Sequence, residues 1–141
     1  MENMFQVDKK FPHFSLETYN PASEEIEKIS SDDFKGRWLV LFFYPADFTF
    51  VCPTELVDMN RRIEDFKKYK AEVIGVSTDT VHTHRAWIEM EELLKGLKYP
   101  LASDHGGKFS AELGILYEDS FKSQRACFII DPDGILRAAD I

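Results

Sequence analysis

WLVLFFYPADFTFVCPTEL, residues Trp38 to Leu56, runs from one kind of structure into another. Leu39 to Phe43 is continuously apolar, the pattern of a strand covered on both faces. Tyr44-Pro45 ends it. After a short loop, Cys52-Pro53-Thr54-Glu55 opens a helical pattern. A thiol placed where a buried strand gives way to a helix sits in a setting that activates cysteine.

Working outward, Leu56, Met59, Ile63 and Phe66 fall on one face of an amphipathic helix ending near Lys70, with Arg61, Arg62, Glu64, Asp65, Lys67 and Lys68 on the wet face. Val73 to Val76 reads as a second buried strand, stopped by Ser77-Thr78-Asp79. A second helix spans residues 81–94, with Ala86, Met90 and Leu93 inward. Tyr99 to Ser103 is extended, Gly106-Gly107 is a turn, and Lys108 to Leu113 forms a short helix. Ala126 to Ile130 is a third apolar strand. The turn signal Asp131-Pro132-Asp133-Gly134 folds residues 135–141 back as a hairpin arm.

Upstream, Phe14 to Thr18 is a short strand before Asn20-Pro21. Ser23 to Lys28 is charged and exposed, and Ser30 to Asp33 offers caps for a single turn stopped by Gly36. The alternation of strands and helices predicts one α/β domain over residues 1–141, with a mixed central sheet and helices on both faces. The apolar arm reaching Ile141 is an edge that predicts a partner or further residues to cover it.

The 141 residues carry a net charge of −8 and a pI near 5.0, which argues against nucleic-acid and anionic-membrane partners. Charged and apolar residues are mixed from Met1 to Phe14, without a signal-peptide pattern, so a cytoplasmic location is expected. Two cysteines, Cys52 and Cys127, are too few for a disulfide framework. Twelve phenylalanines are many for this length, and some are expected to cover a partner subunit.

A free thiol with pKa ~8.5 is mostly protonated at neutral pH. Pro53 suits the first helical position, which puts Cys52 at a helix N-terminus where N–H groups and the macrodipole favour an anion. Arg125, at the mouth of the third apolar strand, supplies a positive charge. Glu55, in the first helical turn, is placed either to orient Arg125 or to complement the helix dipole. Thr49 adds a hydroxyl that donates and accepts, and Pro45 shields the pocket.

Pro45, Thr49 and Cys52 within YPADFTFVCPTE resemble the peroxidatic motif of peroxiredoxins. The longer FYPADFTFVCPTEL is similar to the alkyl hydroperoxide reductase C and thioredoxin-peroxidase branch. The likeness extends through Ser77-Thr78-Asp79, His84 with Ala86-Trp87, Tyr99-Pro100-Leu101, and Arg125 to Asp131. This resemblance implies a thioredoxin-like fold and reduction of hydrogen peroxide and alkyl hydroperoxides through a cysteine sulfenic acid. It implies that Cys52 is the nucleophile, that Thr49 hydrogen-bonds peroxide and thiolate, that Arg125 stabilises both thiolate and transition state, that Pro45 shields the sulfur and that Glu55 orients Arg125. It further implies a thioredoxin-type or flavoprotein reductant, a homodimer or ring of dimers, and no metal or organic cofactor.

The two-cysteine branch carries its resolving cysteine in a C-terminal arm, and no such arm follows Ile141 in these residues. The expectation is a truncated chain; a one-cysteine enzyme resolved by an external thiol is second, and Cys127 is read as a small core residue. Two other functions compete. Disulfide exchange of the thioredoxin type wants Cys-x-x-Cys, and Thr49 stands in the first position. An oligomeric chaperone-like or redox-sensing scaffold is the non-enzymatic alternative. His82 and His84 are read as surface or helix-start residues rather than a metal pair. Gly106-Gly107-Lys108 lacks the remaining residues of a phosphate loop. Trp87 is read as core or interface packing, and Phe48 and Phe50 as flanking the loop toward a partner.

Overall fold

A computed structural model describes residues 5–49 and 52–141; the side chain of Cys52 lies outside what is described, as do the readings of Phe50 and Met1 to Met4. Seven strands form one mixed sheet: β1 Ser15–Asn20, β2 Glu25–Ser30, β3 Trp38–Phe43, β4 Ala71–Ser77, β5 Leu101–Ser103, β8 Ala126–Ile130 and β9 Leu136–Asp140. Their order is β2-β1-β5-β4-β3-β8-β9. A small separate hairpin pairs β6 Leu116–Tyr117 with β7 Lys122–Ser123.

The central strand β3 lies parallel to β4 and antiparallel to β8, with Phe42 facing Gly75 on one side and Cys127 on the other. Alternation along β3 divides the core. Leu39, Leu41 and Phe43 join Phe109 and Leu113 on one face. Val40, Phe42 and Tyr44 join Leu56, Ile63, Val81 and Trp87 on the other. The first face is covered by α4 Lys108–Glu112. The second is covered by α1 Cys52–Arg61, α2 Ile63–Lys68 and α3 Val81–Met90. Helices therefore stand on both faces, as the sequence predicts.

Four local expectations are corrected. The helix running to Lys70 is two segments, broken at Arg62, whose N–H bonds to Met59 O at 3.1 Å in a tight turn. The break is invisible in the apolar spacing because Leu56 and Ile63 remain on the same face, both buried. The stretch Ser23 to Lys28, read only as charged and exposed, gives most of strand β2, which is held by a six-residue antiparallel register with β1. An edge strand with no fully buried residue has little apolar alternation to reveal it.

The helix expected over 81–94 is also different: α3 ends at Met90, a separate 3-10 turn holds Glu92–Leu94, and the inward face has moved. Met90 is 76% exposed and Leu93 55% exposed, whereas Val81, His84, Trp87 and Ile88 are buried. Counting His84 as polar moved the predicted face off its true position. His84 is not a surface residue: its side chain is wholly buried. Among the described residues, no helix is long and apolar enough to cross a membrane.

Candidate active site

The backbone of β3 delivers the loop. Tyr44 N–H donates to Val76 O at 3.0 Å, and Tyr44 O accepts from the Ser123 hydroxyl at 3.1 Å. This ties the end of the strand to its neighbour and to the small hairpin. Residues 45–49 then leave the sheet, and Cys52 is the first residue of α1. The helix start predicted at Pro53 is thus met within one position, inside the ordinary ambiguity of helix ends.

Pro45 is half-buried and Thr49 exposed. The Thr49 hydroxyl reaches Ala46 O at 3.4 Å. Arg125 immediately precedes Ala126, the register partner of Phe43, so β8 carries it to the end of β3 where the loop departs. Arg125 Nε donates to Glu55 Oε1 at 2.7 Å. The structure thus joins Arg125 and Glu55, which the sequence left as one of two readings for Glu55. Their side chains are 51% and 33% exposed, so the pair is reachable from solvent.

Beside this pair lies a shallow cavity lined by Glu55, Met59, Arg125, Cys127 and Asp140. Cys127 is half-buried on β8. Burial pushes its thiol pKa up, and the nearby Asp140 carboxylate adds to the shift. That environment is the reverse of one that activates a thiol. Among the described residues no group of three or more His, Cys, Asp or Glu side chains is placed to hold a metal ion.

The sequence reading missed a buried polar chain beneath the loop. Tyr44 OH donates to Asp47 Oδ1 at 2.6 Å, and Asp47 Oδ2 meets His84 Nδ1 at 2.6 Å. His84 Nε2 lies 2.8 Å from Ala102 O. A carbonyl only accepts, so Nε2 carries a proton. The backbone N–H of Asp47 donates to Asp79 Oδ2 at 2.8 Å, and Asp79 also accepts from the Ser77 hydroxyl at 2.7 Å. Burial raises the Asp47 carboxyl above its ordinary value, opposed by its bond to His84. Burial, reinforced by Asp47, lifts the Tyr44 phenol well above its own. The available signal was pairwise: Asp47 sits in the loop, and His84 stands at helical spacing between Val81 and Ile88.

The AhpC/TSA family matches residues 7–139. The Bacillus subtilis (strain 168) protein YkuU, whose name carries a provisional peroxiredoxin assignment, is 48% identical over 136 residues, covering 93% of this chain and 75% of that protein. Alkyl hydroperoxide reductase C of Staphylococcus epidermidis is 38% identical over 138 residues, covering 98% of this chain and 73% of that one. The crystal structure of Enterococcus faecalis AhpC superposes with a TM-score of 0.91 at 36% identity, covering 97% of this chain and 81% of that one.

Proposed function

The chain belongs to the AhpC/TSA family, with a thioredoxin fold and thiol peroxidase activity, and on that footing we propose that Cys52 is the peroxidatic nucleophile, served by Thr49, Arg125, Pro45 and Glu55. The observation that carries this assignment is the bond between Arg125 and Glu55, which brings a guanidinium from β8 to the first turn of the helix that Cys52 opens. A cation there and a helix N-terminus both favour a thiolate over a thiol.

The thiolate of Cys52 attacks one oxygen of the peroxide. The S–O bond forms as the O–O bond breaks, and the departing oxygen leaves as water or alcohol once protonated. Sulfur is oxidised to a sulfenic acid. Negative charge moves from sulfur to the leaving oxygen, so fixed donors from Arg125 and the Thr49 hydroxyl act where charge develops. Glu55 limits the positions open to the guanidinium, and Pro45 keeps water from the sulfur.

A second thiol then condenses with the sulfenic acid, and a thioredoxin-type or flavoprotein reductant restores the dithiol. Hydrogen peroxide and alkyl hydroperoxides are the substrates, a cytoplasmic homodimer or ring of dimers is the working form, and residues 1–141 act as one domain. Phe48, 53% exposed beside the loop, is suited to that self-association. Stopped-flow peroxide consumption tests the assignment: Cys52→Ser abolishes the fast phase, and a fast phase that persists removes Cys52 from the reaction.

A further inference from the structure

The Tyr44–Asp47–His84 chain has no part in the chemistry above, yet it occupies the floor of the loop that presents Pro45 and Thr49. A carboxylate buried in a core loses its hydration and is kept only where its bonds replace it. Asp47 is 6% exposed and His84 0% exposed. Both Asp47 oxygens are engaged, one by Tyr44 and one by His84, and its backbone N–H is held by Asp79. His84 in turn is fixed at both nitrogens, to Asp47 and to Ala102 on β5. Asp47 thereby pins the loop to Tyr44 at the end of β3 and to His84 on α3, and through His84 to β5.

The conformation of the next residue gives such a clamp its purpose. Phe48 has φ of 59°, in the left-handed region where a bulky side chain is strained. Backbone in that region costs about 1–3 kcal/mol and persists only where its surroundings over-determine it. Downstream, the Phe48 ring is tilted against Trp87 with centroids 6.3 Å apart. Upstream, the residue that holds the chain is Asp47. Thr49 comes directly after the strained residue, so its direction depends on that turn being held.

We propose that the buried Asp47–His84 pair, completed by the Tyr44 hydroxyl, is a positioning device that holds Phe48 in its left-handed conformation and thereby aims the Thr49 hydroxyl at the peroxide. This rests on the reading of Thr49 given above. Asp47 and His84 are positioning residues: they act through Thr49.

The test is a double-mutant cycle on the rate of Cys52 oxidation by hydrogen peroxide, followed by stopped-flow fluorescence in single turnover on the full chain. Thr49→Val alone is expected to slow the reaction by about 100-fold, and Asp47→Ala alone by about tenfold. In the Thr49→Val background Asp47→Ala should change the rate less than about twofold, because the contact it supports is already gone. Asp47→Asn should stay within about threefold of the parent. Its carbonyl still accepts from Tyr44, and its amide donates to Nδ1 of a neutral His84 whose Nε2–H still faces Ala102.

A parent-like rate for Asp47→Ala overturns the proposal. So does an undiminished tenfold loss in the Thr49→Val background, or Asp47→Asn as slow as Asp47→Ala. A parent-like rate for Thr49→Val marks failure of the Thr49 reading itself and takes the proposal with it. If Asp47→Ala does not fold, Tyr44→Phe, which removes only the hydroxyl on Oδ1, enters the same cycle with an expected loss of about threefold.

Discussion

Arg125 Nε and Glu55 Oε1 are 2.7 Å apart although seventy positions separate them in the chain. The pair is partly exposed, so it adds little to stability. Glu55→Gln keeps an acceptor but loses the charge, and should lower kcat/KM for peroxide by about three- to tenfold with little change in melting temperature. Steady-state kinetics beside thermal unfolding checks this; a loss of stability without a loss of rate would reassign Glu55 to the helix dipole alone.

Cys127 should behave as an inert thiol. With its pKa raised by burial and by Asp140, it is protonated at neutral pH and becomes reactive only as the solution turns alkaline. Timed alkylation with iodoacetamide, read by peptide mass spectrometry, should label Cys52 well before Cys127 at pH 7, and the lag should shorten as pH rises. Cys127→Ser should leave the first peroxide turnover unchanged.

Gly75 sits where β4 is closely packed against its neighbours. A Cβ built there would meet Leu101 Cδ2 at 2.9 Å and Phe42 Cζ at 3.1 Å, on the two strands that flank β4. Both neighbours belong to the packed core, so Gly75→Ala is expected to destabilise the fold by about 1–3 kcal/mol. Denaturant unfolding measures this, and a neutral result would show that Phe42 and Leu101 repack freely.

Asp131 closes the β8–β9 turn. Its carboxylate accepts from the N–H groups of Asp133 and Ile135 and from Arg137 Nε. Desolvation pushes its pKa up, but these three donors together outweigh it and hold the carboxyl below its usual 3.8. A lowered folded-state value means the stabilisation is full above pH 3.8 and is lost as pH falls through the lower value. Asp131→Asn should cost about 1.5–3 kcal/mol at pH 7. The gap between variant and parent should narrow in acid, and a gap constant with pH would refute the charge-based account.

The sequence could be read wherever one periodicity dominated. Leu39 to Phe43 and Ala126 to Ile130 are strands because their apolar runs allow little else, and the Asp131–Gly134 turn is set by residue chemistry. Cys52, Thr49 and the remote Arg125 were legible as candidates for one site, and the structure adds that Arg125 and Glu55 are bonded at 2.7 Å. His84 was not legible. A histidine whose two nitrogens are both satisfied by buried partners substitutes for an apolar residue on a helix face, and a scale that scores it as polar turns the face away. Strand β2 was hidden for the opposite reason, since its pairing is made by backbone and most of its side chains stay in water.

The register of Phe43 with Ala126 has a consequence for synthesis. A ribosome completes Cys52 and its helix long before it adds Arg125. Strand β3 has by then β4 available on one side, while its other edge waits for β8. Loop closure of that span precedes any reward from pairing. With Cys52 as nucleophile, a nascent chain carries it without the guanidinium of Arg125, and full peroxide reactivity waits for the docking of β8. The thiol is thereby spared rapid oxidation while the core is still open.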